Sequence, residues 1–229
     1  MEHRLTTPLT KEAILKLKAG DILYLTGKVF TARDEAHRHI LDTLSHHRKL
    51  PFDLTGAVIY HCGPLLKKTE SGWQVVSAGP TTSERMTQMT PALVKNTGIR
   101  AIIGKGGMKG IAPLLKGRCV YLAYTGGCAV LAAEGISRVI NVHWQNLGMA
   151  EAVWEFEVKD FGPLIVGIDS YGVDLYEKVL EKASEALKAI VMASNKVKPL
   201  MNLAASKKRK DTAAAEAGIE DGGRMQQAM

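Results

Sequence analysis

Gly79-Pro80-Thr81-Thr82-Ser83-Glu84-Arg85-Met86 follows a largely apolar run, residues 73–78, and opens a segment of helical composition. This order predicts a strand that ends in a Gly-Pro turn, with hydroxyl side chains at the N-terminus of a helix. Free backbone N–H groups and the positive end of the helix dipole favour a carboxylate or phosphate there. Arg85 adds a forked cation suited to bidentate carboxylate binding. The alternative interpretation is a simple N-cap followed by a surface arginine.

Two further segments have the same character. Thr31-Ala32-Arg33-Asp34-Glu35-Ala36-His37 lies at another predicted strand-to-helix change, and Gly104-Lys105-Gly106-Gly107-Met108 follows another mostly apolar strand. Three cations, Arg33, Arg85 and Lys105, therefore stand at or just beyond the predicted C-terminal ends of three strands. Open α/β sheets bind ligands at that edge. The three cations predict a site for a small substrate with two carboxylates.

The rest of the chain alternates predicted strands and helices, which is typical of a layered α/β or β/β/α architecture. Residues 119–123 and 164–168 carry no charge, as expected of strands covered on both faces. A long amphipathic helix is predicted for residues 175–193. We expect one catalytic domain over residues 1–195 with a mixed sheet, followed by a polar, basic and disordered tail over residues 196–229.

The composition excludes several classes of protein. The chain has 229 residues, 46% of them hydrophobic, and a net charge of +7. Much of that charge comes from Lys207-Lys208-Arg209-Lys210, which is either a nuclear signal, a nucleic-acid contact or part of a solvated tail. We favour the solvated tail and no nucleic acid, because no aromatic residue is interleaved for base stacking. The absence of a membrane-length apolar run and of a secretory signal predicts a cytoplasmic protein without a membrane partner.

The three cysteines, Cys62, Cys119 and Cys128, include no CxxC pair. An odd and sparse set does not indicate a disulfide framework. Three cysteines suffice in principle for an iron–sulfur cluster. Cys119 and Cys128 flank an apolar strand, however, and small buried side chains are the better interpretation. We therefore expect no metal ligands on this chain.

Arg33, Asp34 and His37 form the second candidate site. If Asp34 caps the helix, His37 lies one turn further on the same side. Asp34 then fixes the tautomer of His37, which exchanges a proton with substrate while Arg33 holds a carboxylate. The alternative is a capped helix with a surface histidine, since this segment carries other histidines as well. Farther along the chain, Glu155 and Glu157 alternate along a predicted strand and are expected to face water.

Together these motifs resemble a known family, the β subunit of class I fumarate hydratase and L(+)-tartrate dehydratase. The same domain forms the C-terminal half of single-chain class I fumarases, and the resemblance covers about residues 4–180. The stretches that carry it are Tyr24-Leu25-Thr26-Gly27, residues 32–37, residues 79–86, residues 104–108, Gly127-Cys128-Ala129 and Phe161-Gly162-Pro163-Leu164.

The resemblance implies a swivelling β/β/α domain and an iron–sulfur hydro-lyase. In that family a partner α subunit, rather than this chain, ligates the [4Fe-4S] cluster, and an α₂β₂ heterotetramer is expected. The loop sequence Gly-Lys-Gly-Gly at residues 104–107 favours the two-subunit form, because long single-chain fumarases tend to differ after the lysine.

The resemblance also implies roles for particular residues. Arg33, Arg85 and Lys105 match positions that bind substrate carboxylates, and Thr82 is expected to bind substrate beside them. Thr81 matches a threonine proposed for proton transfer. His37, with Asp34, matches a candidate catalytic histidine of the tartrate dehydratase branch, and the choice of base between His37 and Thr81 stays open.

The expected function is the reversible hydration of fumarate to malate. In this hypothesis the chain supplies the proton-transfer residues and a carboxylate clamp, the name used below for Arg33, Arg85 and Lys105. One alternative is the β subunit of L(+)-tartrate dehydratase, which converts tartrate to oxaloacetate and differs in substrate by one hydroxyl. The other is a non-catalytic, anion-binding subunit.

Overall fold

The computed structural model describes residues 1–70 and 72–193. Residues 1–177 form one compact unit, and a second unit begins at residue 178. The helix predicted for residues 175–193 is present from residue 175 through residue 193, the last described residue. The tail predicted over residues 196–229 lies outside the described residues.

The strands and helices follow the alternation that the sequence predicts. The strands are β1 (Glu2–Thr6), β2 (Ile22–Thr31), β3 (Val58–Tyr60), β4 (Leu65–Thr69), β5 (Gly72–Ser77), β6 (Ala101–Gly104), β7 (Val120–Ala123), β8 (Ile136–His143) and β9 (Val153–Ile168). The α-helices before residue 175 are α1 (Lys11–Leu15), α2 (Asp34–Ser45), α3 (Thr90–Thr97), α4 (Ala112–Leu115) and α5 (Ala129–Glu134). Two 3₁₀ turns are Ser83–Met86 and Gln145–Leu147.

The main sheet is mixed, which confirms the predicted fold class. Its seven strands lie in the order β1-β2-β3-β6-β7-β9-β8, and β9 pairs with β2 as well. Neighbours from β1 to β7 are parallel, whereas β9 is antiparallel to β2, β7 and β8. Strands β4 and β5 form a separate two-stranded hairpin. The parallel order brings the C-terminal ends of β2, β3, β6 and β7 to one edge of the sheet.

Alternate residues of the central strands enter two different hydrophobic clusters. Val58 and Tyr60 of β3 belong to one cluster, and Ile59 belongs to the other. The second cluster also contains side chains from α2, α3 and α4, so these helices cover that face. The first contains side chains from the β4–β5 hairpin, α5 and β8. The result is a layer of helices, a central sheet and a second layer built around a hairpin.

Two strands of the main sheet are longer than the local sequence indicates. β2 runs through Gly27 without a break, and the uncharged run of residues 164–168 is only the end of the long strand β9. The reason is their mutual pairing, since Leu25 pairs with Phe161 and Leu23 with Leu164. Register shifts beside Leu25 absorb the irregular stretches without ending either strand.

No helix in the described ranges has the length and apolar character needed to cross a bilayer.

Candidate active site

The ends of the parallel strands position two of the three predicted cations. Arg33 follows β2 and Lys105 follows β6, with the end of β3 between them. The strands stay paired beyond their ends: the Ala32 N–H donates to the Tyr60 carbonyl at 3.0 Å, and the His61 N–H donates to the Ile103 carbonyl at 2.8 Å. Arg33 and Lys105 therefore lie at the sheet edge where α/β proteins bind ligands.

The segment of residues 81–83 lies along the same edge. The Thr81 N–H donates to the His61 carbonyl at 2.7 Å, and the Lys105 N–H donates to the Thr81 carbonyl at 3.1 Å. The Ser83 N–H in turn donates to the Lys105 carbonyl at 3.1 Å. These bonds bring Arg85 to the edge although its preceding strand, β5, belongs to the separate hairpin.

The predicted helix N-terminus at residues 81–83 was wrong. Ser83–Met86 is a single 3₁₀ turn, and its cap residue Thr82 makes no side-chain capping bond. The next helix, α3, starts only at Thr90 and has Pro91 in its first turn. Proline at that position suits a helix start, because its missing N–H is not needed there. So short a turn has little dipole, and the positive charge of the site comes from side chains.

Arg85 is held between Asp34 and Thr81. Its Nη2 donates to Asp34 Oδ2 at 2.7 Å and lies 3.3 Å from Thr81 Oγ1. The sequence analysis took Asp34 as the cap of α2, and this was wrong. Arg33 is the cap residue, and Asp34 is the first residue of the helix. The Arg85–Asp34 ion pair thus joins the segment after β2 to the segment of residues 81–85.

Arg33 is fixed by a carboxylate that the sequence analysis missed. Its Nε lies 3.2 Å from Glu151 Oε1, and Glu151 Oε2 accepts the Glu35 N–H at 2.9 Å. The Arg33 side chain also lies against Gly63, where a Cβ would come 2.8 Å from Arg33 Cδ. Glu151 follows β8 in sequence, far from Arg33, and no local pattern indicates the pairing.

Lys105 differs from the two arginines. It is exposed, and no carboxylate in residues 1–70 or 72–193 lies within ion-pair distance of its Nζ. Its side chain runs over Gly126, where a Cβ would come 2.8 Å from Lys105 Cδ. Thr82 is exposed next to it and forms a backbone bridge with Lys105. Lys105 is therefore a cation open to an external anion.

His37 is buried rather than poised on a surface. Its side chain has no exposed area, and its Nδ1 lies 2.8 Å from the Arg33 carbonyl oxygen, so Nδ1–H is the donor. Burial lowers the pKa of His37 to about 4, against the opposing effects of the Arg33 carbonyl and Asp34. The expected Asp34–His37 hydrogen bond is absent, since Asp34 pairs with Arg85 instead. His37 is neutral at physiological pH.

A second buried histidine, His61, lies beside the first. The two rings make an edge contact with centroids 5.1 Å apart. His61 Nδ1 lies 2.9 Å from Ser83 Oγ, and burial lowers the pKa of His61 well below its ordinary value. Sequence reasoning did not select His61. Its place directly after β3, at the same edge as Arg33 and Lys105, is the signal that would have found it.

The cysteines do not fit an iron–sulfur cluster. Cys62 and Cys119 are buried in different hydrophobic clusters, and burial raises the pKa of Cys119 to about 12. Within the described residues, no three His, Cys, Asp or Glu side chains are grouped so as to hold a metal ion.

The sequence matches a known family over most of its length. The family described as Fumarase C-terminus matches residues 2–179. A protein of Methanocaldococcus jannaschii with the provisional name L(+)-tartrate dehydratase subunit beta is 52% identical over 188 residues, which cover 80% of this chain and 95% of that protein. L(+)-tartrate dehydratase subunit beta of Escherichia coli K12 is 41% identical over 180 residues, which cover 76% and 87% of the two chains.

A longer relative has a different name. A Geobacillus stearothermophilus protein provisionally named fumarate hydratase class I is 40% identical over 186 residues, which cover 80% of this chain and 35% of that protein. From the family match and these relatives, we conclude that the chain belongs to the Fumarase C-terminus family.

Proposed function

We propose that this chain is the β subunit of a hydro-lyase that acts on four-carbon dicarboxylates and reversibly hydrates fumarate to malate. One observation carries the proposal: hydrogen bonds bring the segments that bear Arg33, Arg85 and Lys105 together with Thr81 at one edge of the sheet. The names of the relatives support the reaction class, since both tartrate dehydratase and fumarate hydratase remove or add water.

The cations suit the difficult step of this chemistry. Removing water from malate requires a proton to leave the carbon next to a carboxylate, and the aci-carboxylate so formed carries two negative charges. Fixed cations stabilise that charge more than they stabilise the ground state. Asp34 and Glu151 hold the two guanidinium groups in place, so little reorganisation is needed when the charge develops.

For the proton transfer we propose Thr81 over His37. Thr81 is partly exposed at the clamp and its Oγ1 lies 3.3 Å from the Arg85 guanidinium, which stabilises a developing alkoxide. The Nε2 of His37 is closed to solvent, and a base must come within hydrogen-bond reach of the proton it takes. We propose that His37 and Asp34 act by supporting Arg33 and Arg85.

The proposal includes a partner. The relatives named subunit beta imply an α subunit, and we propose an α₂β₂ assembly in which α carries a [4Fe-4S] cluster. Such a cluster would supply Lewis-acid assistance to the departing hydroxide. The described residues of this chain contribute the clamp and the proton-transfer hydroxyl.

L(+)-tartrate is the second candidate substrate. Two relatives that match along most of their own length, those of Methanocaldococcus jannaschii and Escherichia coli K12, bear the tartrate dehydratase name. Turnover of malate and L(+)-tartrate by the same assembled enzyme, compared as kcat/KM, decides between them.

The test is Arg85→Ala in the assembled enzyme, with Arg48→Ala as the matched control. Arg48 is exposed just beyond α2 and pairs only with Asp42 in the described chain. We expect Arg85→Ala to lower kcat/KM about 10²–10³-fold, as for loss of one transition-state donor, with assembly intact. The control should stay within about twofold. Equal turnover of the two variants would support a non-catalytic anion-binding subunit instead.

A further inference from the structure

A chain of buried polar side chains runs beneath the clamp. His61, Ser83 and Tyr121 have no exposed area, and they come from the end of β3, the 3₁₀ turn and β7. His61 Nδ1 lies 2.9 Å from Ser83 Oγ, and Tyr121 Oη lies 3.0 Å from the same oxygen. Tyr121 Oη also lies 2.6 Å from the Gly106 carbonyl oxygen. None of the three has a role in the proposed reaction.

The proton inventory gives the chain a direction. A phenol has one proton, and the Gly106 carbonyl can only accept, so Tyr121 Oη–H donates to Gly106. The Ser83 hydroxyl then donates to Tyr121 Oη, and His61 Nδ1–H donates to Ser83 Oγ. In this arrangement every hydrogen bond has one donor and one acceptor. Tyr121 belongs to β7, and His61 directly follows β3.

These hydrogen bonds reach both of the segments that bear Thr81, Arg85 and Lys105. Ser83 lies two residues from Thr81 and two from Arg85, and Gly106 directly follows Lys105. The backbone repeats the connection, since the Ser83 N–H donates to the Lys105 carbonyl and the Lys105 N–H donates to the Thr81 carbonyl.

The space for the chain depends on Gly104. A Cβ at Gly104 would overlap Ser83 Oγ and come within 3.0 Å of Tyr121 Oη. Gly104 therefore lets the hydroxyls of Ser83 and Tyr121 approach the backbone of β6 closely.

We infer that His61, Ser83 and Tyr121 are positioning residues that hold Thr81 and Lys105 at the spacing the substrate requires. The buried hydroxyls of Ser83 and Tyr121 are paired in this arrangement of the two loops, and another arrangement would leave them unpaired. The expected change in KM rests on the proposed function. The positioning of the two loops does not, because it is a property of this polypeptide alone.

The test compares Tyr121→Phe with Tyr60→Phe. Tyr60 is equally buried, and its hydroxyl donates to the Ala78 carbonyl. Tyr60→Phe therefore removes a comparable buried hydrogen bond that does not involve His61, Ser83 or Tyr121. In the assembled enzyme we expect Tyr121→Phe to raise KM for the dicarboxylate about tenfold with kcat changed less than threefold, because a displaced Lys105 weakens substrate binding. Tyr60→Phe should lower thermal stability without changing KM. Equal KM values for wild type and Tyr121→Phe would overturn the inference.

A second readout needs no turnover. Hydrogen exchange of the full-length chain reports on the Ser83 and Lys105 amides, whose acceptors lie across the two loops. We expect exchange at these amides to be at least about tenfold faster in Tyr121→Phe and His61→Leu, and partly restored in His61→Asn, which keeps a donor near the Nδ1 position. Unchanged exchange would reject the positioning role. If wild type turns over no dicarboxylate but exchange responds as expected, only the proposed function fails.

Discussion

At the scale of single residues, the site depends on close contact between cations and glycines. Gly63 lies under Arg33, and Gly126 lies under Lys105. In both cases the neighbour that must move is the side chain of a clamp cation. A methyl group at either position is therefore expected to displace a charge that we propose binds substrate.

We predict that Gly63→Ala and Gly126→Ala each raise KM for the dicarboxylate by about tenfold, equivalent to about 1.4 kcal/mol of lost binding. The reason is that a Cβ would come 2.8 Å from Arg33 Cδ or Lys105 Cδ, respectively. Steady-state kinetics on assembled enzyme, with circular dichroism to verify folding, measure the effect. Wild-type KM values in both folded variants would show that the two cations do not bind substrate.

The identity of the base is also a question at this scale. We predict that Thr81→Ala lowers kcat by about 10²-fold or more, within the range for loss of general acid–base catalysis, whereas Thr81→Ser retains most activity. His37→Asn should affect kcat less, because Asn preserves a donor to the Arg33 carbonyl. The pH dependence of kcat/KM, compared between the Thr81 and His37 variants, shows which of the two side chains controls proton transfer. A loss of activity in His37→Asn that exceeds the loss in Thr81→Ala would identify His37 as the base.

At the scale of the elements, three strands share one polar contact. The buried carboxylate of Glu155 on β9 lies 2.8 Å from Lys28 Nζ on β2 and 2.7 Å from His143 Nε2 on β8. Burial alone raises the pKa of Glu155, but the hydrogen bonds from Lys28 and His143 outweigh it, and the net pKa is lowered. The expectation that Glu155 faces water was therefore wrong, whereas Glu157 is substantially exposed and pairs with Arg138.

We predict that Glu155→Gln lowers the free energy of unfolding at neutral pH by about 1–3 kcal/mol, as for loss of a buried charged acceptor. Because the pKa is lower in the folded state, this stabilisation is present above the ordinary pKa of glutamate and is lost as the pH falls through the folded value. Urea titrations at several pH values measure it. Glu157→Gln on the same strand is the control, with an expected change below about 1 kcal/mol.

The same elements show what sequence reasoning can predict. Apolar runs such as residues 119–123 predict strands of the main sheet. The alternation of strands and helices predicts the parallel edge where Arg33 and Lys105 lie. The irregular pairing of β2 with β9 was not predictable, because it joins residues such as Leu23 and Leu164 that are distant in sequence. The short 3₁₀ turn at residues 83–86 was missed because tertiary bonds to Lys105 replace the expected helix.

The same distinction, between local sequence signals and contacts across the fold, applies to the candidate site. The places of Arg33 and Lys105 at the sheet edge were predictable, because each comes shortly after a strand that the sequence indicates; their roles stay predictions. Glu151, His61 and Tyr121 were not selected, since their importance arises from contacts across the fold. Asp34 was selected for a role beside His37, but the nearer cation, Arg85, takes its carboxylate.

At the scale of the whole molecule, the proposed site is half of an active site. The described chain presents a clamp of cations, and its cysteines do not fit a cluster. We therefore expect neither this chain nor its α subunit to hydrate fumarate alone. Activity should appear when the two are combined, because in the proposed mechanism the clamp and the cluster act on the same substrate.

The most direct measurement is anaerobic hydration of fumarate, followed by loss of its ultraviolet absorbance, for each subunit alone and for the assembled, cluster-loaded complex. We predict turnover in the complex alone, and a loss of about 10²-fold or more in kcat/KM when the β chain carries Arg85→Ala. Turnover by a cluster-loaded α subunit alone, at the rate of the complex, would contradict the proposed role of this chain in the reaction.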